Sequence, residues 1–298
     1  MHEGERVVTP DLAGRLVAEQ FPDWAGLAVR PLAVAGSDNV MMRLGEGLVL
    51  RFPRIADAVG ALEVEARWLG WVAGVSPLAV PEVVALGKPG AGYPWPWAVL
   101  RWISGRDALV APVEDLAAAE ALARFVQALR GAPVPQGLPF RRDGLQSRDG
   151  FLRQMILRIT DEADAGDITR AWEAALALPA WEGVPLVVHA DLHPLNLIVR
   201  DGALAAAIDW GGLGAGDPAL DLICGWTVLE AAGRAEFRRR LSVDAATWAR
   251  GWAYAFSKAV MAAPYYRETN PALREVMLRT LRRCLADRPD CMEPVRWI

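Results

Sequence analysis

The chain contains few lysines, histidines and cysteines, and it contains no long apolar run. Lys88 and Lys258 are its only lysines, although Lys and Arg together number 32. The net charge of −4 and the pI of about 5.5 argue against a nucleic-acid partner, because such proteins carry a basic patch or stripe. No run of about 20 apolar residues occurs, so we expect no membrane-spanning helix and no membrane partner.

The three cysteines exclude two further classes of protein. Cys224, Cys284 and Cys291 are odd in number and show no Cys-x-x-Cys spacing, so neither a disulfide framework nor a zinc-finger site is expected. The first residues lack the apolar segment of a secretory signal. We therefore expect a cytoplasmic protein.

The patterning predicts an α+β protein with two lobes, because 298 residues approach the upper limit for a single core. The small N-terminal lobe, residues 1–100, is expected to contain an antiparallel sheet. Its predicted elements are helices over 10–20 and 56–72, a hairpin of strands 40–44 and 48–52 around a glycine-bearing turn, and two strands within 80–103.

The larger lobe, residues 107–298, is expected to be mainly helical and to follow a hinge at 101–106. A cleft between two such lobes is a common place for a ligand. The segment 131–150 is interpreted as a surface connection. The predicted elements are helices over 114–130, 148–160 and 166–178, strands over 186–188, 197–199 and 206–208, and helices from Pro218 onward.

A group of polar residues follows the strand at 186–188 and points to phosphoryl transfer. Such a reaction needs positioning, charge neutralisation by Mg²⁺, and a carboxylate that orients the hydroxyl and accepts its proton. Asp191 can serve as that carboxylate. Asn196 and Asp209 can supply an amide oxygen and a carboxylate to Mg²⁺, which prefers oxygen ligands. The spacing matches the catalytic loop and metal aspartate of kinases.

These motifs resemble the aminoglycoside phosphotransferase family. The resemblance is carried by HADLHPLN at 189–196, IDWG at 208–211 and GDPALDL at 216–222, and it extends over roughly residues 30–225. It implies a bilobal, protein-kinase-like fold. It also implies an enzyme that transfers the γ-phosphate of ATP, or GTP, with Mg²⁺ to a hydroxyl of a small molecule, first of all an aminoglycoside or another antibiotic.

The resemblance also suggests the residues that bind the nucleotide. Ser37 and Asn39 would close a turn over the phosphates, and the backbone near Arg101 and Ile103 would read an adenine edge. Arg51 stands where the family commonly has lysine, which is a departure, although arginine can grip phosphate oxygens.

A glutamate of the following helix would orient this base. The sequence context favours Glu65 over Glu63, and Arg54 competes with Arg51 for the same role.

Several alternatives remain open at this level. A metabolite such as an amino alcohol or a sugar is an alternative acceptor, and a nucleotide-binding module without transfer activity is a second hypothesis. A zinc site at His189, Asp191 and His193 is a third, although both histidines fit a scaffolding role better. Asp221 is interpreted as an anchor of the catalytic loop. An acidic cluster would favour a polycationic acceptor, unless it is a solvated helix start; its members are Asp161, Glu162, Asp164 and Asp167.

Overall fold

A computed structural model describes residues 5–32, 38–142, 144–159 and 163–289. The chain divides into two compact units. The first consists of Met1–Val75, Ala79–Ser104 and Ala207–Gly211, and the second consists of Ser76–Leu78, Gly105–Ala206 and Gly212–Ile298. The short segment Ala207–Gly211 therefore belongs with the first unit, although the residues on either side of it belong to the second.

The first unit begins with helix α1, Pro10–Gln20, as predicted. The Thr9 side chain accepts a hydrogen bond from the Leu12 N–H at 3.2 Å, and Pro10 occupies the first helical position. Both features are typical of helix starts. Leu16 and Val17 are buried and join the core of this unit.

An antiparallel five-stranded sheet forms the centre of the first unit, in the order β1-β2-β3-β5-β4. Gly45, with φ of +57°, lies in the turn between β2 and β3, and the predicted hairpin is confirmed. The third strand is central, and five of its six residues are buried. The strands are β1 Val29–Pro31, β2 Asn39–Leu44, β3 Leu48–Pro53, β4 Val83–Gly87 and β5 Trp97–Arg101.

Helix α2, Asp57–Ala73, contacts β3, β4 and β5. Its buried face is mostly apolar and includes Leu62, Leu69 and Val72. Glu65 lies on the same face and is fully buried. A buried carboxylate needs a charged or hydrogen-bonding partner, so this residue marks a polar site within the core.

The second unit is mainly helical. The prediction of a surface connection up to residue 150 is wrong at its end, because α4 already begins at Leu145. Leu145, Leu152 and Met155 are buried on one face of this helix, and this burial stabilises it although Gly150 lies within it. The helices are α3 Asp115–Gly131, α4 Leu145–Ile156, α5 Ala165–Leu176, α6 Cys224–Thr227, α7 Ala231–Leu241, α8 Ala245–Tyr265 and α9 Pro271–Ala286.

Short strands in the second unit hold the predicted catalytic segment. One sheet has the order β6-β8-β9, and the other pairs β7 with β10, a strand that the glycine-rich sequence did not indicate. The turn between β8 and β9 has positive φ at Asp201 and Gly202, which is typical of a tight hairpin. The strands are β6 Arg106–Asp107, β7 Leu186–Val188, β8 Leu197–Arg200, β9 Ala203–Ala207 and β10 Gly214–Gly216.

Among the described residues, no helix is long and apolar enough to cross a membrane.

Candidate active site

In the first unit, Arg51 on β3 lies between two carboxylates. Its guanidinium forms an ion pair and hydrogen bond with Glu65, and its Nη2 donates to Asp209 Oδ1 at 3.1 Å. Burial disfavours the charged guanidinium, but the charges of Glu65 and Asp209 outweigh burial and raise the pKa of Arg51. We call Arg51, Glu65 and Asp209 the Arg51 cluster.

Glu65 ties this cluster to the segment that carries Asp209. Its second carboxylate oxygen, Oε1, accepts a hydrogen bond from the backbone N–H of Trp210 at 2.7 Å. Glu63, two positions earlier, is exposed. Arg54 is half-buried and pairs with Glu5 instead. Within this unit, therefore, Arg51 and Glu65 meet in a buried ion pair, whereas Arg54 and Glu63 lie elsewhere.

Asp209 has a strained backbone and an accessible carboxylate. Its φ is +59°, a left-handed conformation that is uncommon for residues other than glycine. Its side chain is 48% exposed, against 6% for that of Arg51. Gly211 follows closely, and a Cβ at that position would lie 2.7 Å from Cβ of Ala61 on α2. The close approach of α2 thus holds the Asp209 segment in place.

The other predicted nucleotide-binding residues of this unit are Ser37, Asn39, Arg101 and Ile103. Ser37 lies outside the described residues. Asn39 is buried in β2. The exposed Arg101 side chain pairs with Glu82, and its backbone N–H donates to the Glu82 carbonyl at 2.9 Å. Ile103 is half-buried.

In the second unit, Asp221 anchors the loop after β7. Its fully buried carboxylate accepts hydrogen bonds from the backbone N–H groups of His189, at 3.0 Å, and Ala190, at 2.7 Å. Burial raises the pKa of Asp221, against the opposing effect of those hydrogen bonds. Ala190 has a φ of +65°, and the two hydrogen bonds hold the loop in this conformation. The interpretation of Asp221 as an anchor is confirmed.

Asp191 follows this turn, and both oxygens of its carboxylate have partners. Oδ1 forms an ion pair with Lys258, and Oδ2 accepts from Asn196 Nδ2 at 3.2 Å. The same Nδ2 donates to the Asp191 carbonyl at 3.0 Å. His193 Nε2 lies 3.7 Å from Oδ2. The side chain of Asp191 is therefore held in one orientation.

The oxygen donors suit Mg²⁺ better than zinc. Both hydrogen bonds described for the Asn196 side chain use its amide nitrogen. In the first unit the Asp209 carboxylate is half-exposed, and amide and carboxylate oxygens are ligands that Mg²⁺ prefers. In the described part of the chain, no group of three His, Cys, Asp or Glu residues is placed to hold a metal. The zinc alternative at His189, Asp191 and His193 therefore has no geometric support.

Sequence reasoning missed Lys258, which lies on α8. Its ammonium contacts Asp191, and burial together with the neighbouring Arg148 lowers its pKa to about 7. The one sequence signal for Lys258 is the scarcity of lysine, because the chain has only two lysines. One of these two contacts Asp191, the predicted catalytic carboxylate.

Lys258 also lines a cavity of about 460 Å³ in the second unit. Helix α4 and helix α8 contribute most of its wall, and Ala190 brings the wall next to Asp191. The residues from the two helices are Ser147, Arg148, Phe151, Tyr254, Lys258 and Met261.

The acidic cluster predicted from sequence has no demonstrated part in this wall. Asp161 and Glu162 lie outside the described residues. Asp164 is the N-cap of α5 and accepts from the Asp167 N–H at 2.8 Å, while Asp167 pairs with Arg170. For the two described members, the alternative of a solvated helix start accounts for the charges.

These features are those of a phosphotransferase: a buried base tied to a carboxylate on its neighbouring helix, and a fixed aspartate with an asparagine five positions later. A family model described as the phosphotransferase enzyme family matches residues 28–256. The chain belongs to this family. It is a phosphotransferase with an alcohol group as acceptor, a small-molecule kinase, as the sequence predicted.

Curated and solved relatives agree with this membership. An aminoglycoside 3'-phosphotransferase of Escherichia coli is 28% identical over 204 residues, which are 62% of this chain and 70% of the relative.

Solved structures show the same fold at lower sequence identity. A GDP complex of wild-type aminoglycoside 2'-phosphotransferase-IIIa has a TM-score of 0.73 at 19% identity, covering 94% of this chain and 99% of the other. The macrolide 2'-phosphotransferase MphH from Brachybacterium faecium has a TM-score of 0.59 at 23% identity, covering 91% and 97%. The predicted α+β, protein-kinase-like fold is thereby confirmed.

Proposed function

We propose that this enzyme transfers the γ-phosphoryl group of ATP, or GTP, to a hydroxyl of a small molecule with Mg²⁺ as cofactor. The observation that carries the proposal is the Arg51 cluster, in which a buried guanidinium is fixed by Glu65 and contacts Asp209. A fixed, permanently charged fork suits phosphate oxygens. The GDP complex of a structural neighbour supports the choice of a nucleotide donor.

Asp191 acts on the acceptor in this proposal. The acceptor oxygen attacks the γ-phosphorus, the bond to the bridging oxygen of the nucleotide breaks, and the hydroxyl proton passes to the Asp191 carboxylate. The nucleoside diphosphate leaves. Asn196 orients Asp191 through its two hydrogen bonds, and Asp221 holds the loop.

Asn196 and Asp209 would hold Mg²⁺ through an amide oxygen and a carboxylate. The bound ion would neutralise the charge of the transferring phosphates. Arg51 would steady the same phosphates, with Ser37 and Asn39 at the turn and the backbone near Arg101 and Ile103 at the adenine edge.

The relatives are named for aminoglycosides and macrolides, so an antibiotic of these kinds is the first acceptor class to test. A metabolite such as an amino alcohol or a sugar is the second, because fold does not determine substrate. A nucleotide-binding module without transfer activity is disfavoured, because Arg51, its main support, occupies the ion pair expected of a phosphate-binding base.

A turnover panel tests the proposal. ATP and GTP are each incubated with Mg²⁺ and aminoglycosides, macrolides, amino alcohols and sugars, and nucleoside diphosphate release is measured. Asp191→Asn should abolish acceptor-dependent release while nucleotide affinity stays within about twofold, since the change removes the base and leaves the phosphate contacts intact. Full turnover by this variant would contradict the mechanism. So would a wild-type enzyme that binds nucleotide but phosphorylates none of the acceptors in the panel.

A further inference from the structure

The orientation of the Asp191 carboxylate depends on contacts from two different elements. Asn196 Nδ2 donates to Oδ2 at 3.2 Å and to the Asp191 carbonyl at 3.0 Å, so the loop itself holds one of the two oxygens. The last torsion of an aspartate side chain is broad and roughly twofold. A hydrogen bond to one oxygen therefore leaves room for rotation, and a contact on Oδ1 is needed to fix the carboxylate plane.

Lys258 supplies the contact on Oδ1 from α8. Its neighbours Ser257 and Ala259 are fully buried, and α8 packs against α4 and α9, so the backbone at Lys258 is held in place. Arg148 of α4 donates to Ser257 Oγ at 2.9 Å, which joins the two helices beside Lys258. Although the pKa of Lys258 is lowered, Nζ carries N–H donors in both protonation states and can hold Oδ1 in either.

The Asp191–Lys258 pair is partly exposed, which separates its effect on the reaction from its effect on stability. The side chains of Lys258 and Asp191 are 25% and 30% exposed, and ion pairs that water reaches contribute little to folding. Reaction geometry is more sensitive, because a misplacement of about 1 Å can reduce the rate about a hundredfold. The main effect of this contact is therefore expected on the chemical step.

The contact with Lys258 is compatible with an acceptor on the same carboxylate. The two oxygens of a carboxylate together offer about four lone-pair sites, so Lys258, Asn196 and an acceptor hydroxyl can bind Asp191 at once. Lys258 and Ala190 line one cavity of about 460 Å³. Lys258 thus holds the carboxylate at the edge of a space that is open to an acceptor.

We propose that Lys258 is a positioning residue for phosphoryl transfer, which fixes the plane of the Asp191 carboxylate so that one oxygen faces the acceptor hydroxyl. The inference rests on the proposed function of Asp191 and adds to it a residue from a distant helix. Phosphoryl transfer leaves the protein little covalent chemistry to perform, so the orientation of this carboxylate is a large part of what the protein contributes. Lys258 acts through Asp191 and takes no proton from the acceptor.

The scarcity of lysine permits a direct test of the contact that needs neither nucleotide nor acceptor. Lys88 and Lys258 are the only lysines, so protein labelled with ¹³C-lysine gives two Cε signals, which Lys88→Met assigns. Asp191→Asn should shift the Lys258 signal. It should leave the Lys88 signal unchanged, because Lys88 is exposed in a loop of the first unit. An unchanged Lys258 signal in Asp191→Asn would overturn the positioning role.

Steady-state kinetics tests the consequence for the reaction. The variants are Lys258→Met, Lys258→Arg and, as a matched control, Lys88→Met. ADP release from ATP and Mg²⁺ is measured with kanamycin, erythromycin, choline and glucose as acceptors, and ADP affinity is measured by calorimetry. Thermal unfolding reports whether each variant folds. If Lys258→Met does not fold, Lys258→Arg and the labelled-lysine spectra still test the role.

We expect Lys258→Met to lower kcat at least about tenfold, because the base loses its fixed orientation. The KM for the acceptor and the affinity for ADP should stay within about threefold, since Lys258 acts on the chemical step through Asp191. Lys258→Arg should remain within about threefold of the wild-type kcat, because a guanidinium also donates to a carboxylate. Lys88→Met should behave as the wild type.

Added cations give a further test in Lys258→Ala, which lacks the three outer methylenes and the amine of the lysine. Propylammonium has the same four heavy atoms and can enter from the cavity that Lys258 lines. It should raise the turnover of Lys258→Ala at least about threefold, because its N–H groups can replace the contact on Oδ1. Tetramethylammonium at equal ionic strength has the same charge and no N–H donor, and it should have no effect.

Three kinetic results would overturn the positioning role. They are full turnover by Lys258→Met, an equal loss in Lys258→Met and Lys258→Arg together with lower thermal stability, and equal effects of the two added cations on Lys258→Ala. A wild type without turnover on any acceptor would instead contradict the proposed function, while the labelled-lysine spectra would still report the contact. Failure of the inference and failure of the proposed function are thus distinguished.

Discussion

Arg51 Nη2 lies 3.1 Å from Asp209 Oδ1, although 158 positions separate the two residues along the chain. The contact joins a guanidinium on the central strand β3 to the carboxylate that we propose as a metal ligand. A cation that binds Asp209 must therefore share that carboxylate with Arg51.

Arg51→Met should reduce both stability and activity. It leaves Glu65 buried without its cation, and breaking a buried ion pair in this way costs about 3–5 kcal/mol. Urea unfolding gives the loss in free energy of unfolding, and nucleotide titration gives the loss in affinity. Arg54→Met is the matched control, because the Arg54–Glu5 pair is only half-buried; it should cost about 1 kcal/mol or less. Equal effects of the two changes would contradict the assignment of Arg51.

Glu65→Gln should lower turnover more than nucleotide binding. Glutamine keeps an oxygen for the Trp210 N–H but removes the charge that orients Arg51. We expect kcat to fall by at least about tenfold, the effect of 1.4 kcal/mol on a barrier. Steady-state kinetics with varied ATP measures the change. Glu63→Gln, on the exposed side of α2, should behave as the wild type; a comparable loss there would argue against a special role for Glu65.

Removal of Mg²⁺ by EDTA should abolish transfer, and replacement of Asp209 should change the Mg²⁺ requirement. Asp209→Asn removes the carboxylate charge that would attract the metal and that pairs with Arg51. We expect half-maximal turnover to require about tenfold more Mg²⁺, or more. Asp201→Asn is the control, since Asp201 is exposed in the β8–β9 turn and asparagine tolerates its positive φ. An unchanged Mg²⁺ dependence in Asp209→Asn would exclude this residue as a ligand.

Asp221→Ala should destabilise the second unit. Two backbone N–H groups, of His189 and Ala190, lose their acceptor in a buried place. Each unsatisfied donor costs about 1–3 kcal/mol, so we expect a loss of about 2–6 kcal/mol in the free energy of unfolding. Denaturant unfolding measures this loss. Asp11→Ala, in the exposed first turn of α1, should cost about 1 kcal/mol or less, and an equal loss in both variants would contradict the anchoring role.

Much of the local structure was accessible from the sequence. The hairpin of β2 and β3 is indicated by two apolar runs around Gly45, and α1 by Thr9 and Pro10 ahead of an apolar periodicity. The glycine-rich strand β10 carries no such signal, because it is stabilised by pairing with β7. Likewise, α4 begins earlier than its periodicity suggested because tertiary packing buries Leu145.

The sequence alone determined the reaction class, because Asp191, Asn196 and Asp209 lie within one short segment. Their spacing there matches the catalytic loop and metal aspartate of kinases. The sequence context also favoured Glu65 over Glu63, and Glu65 lies against Arg51. Tertiary structure alone decided the partner of Asp191, because Lys258 lies on it from a helix 67 positions away in the chain. The physical reason is that an ion pair depends on the distance between two charges, and that distance is set by the packing of elements far apart in the sequence.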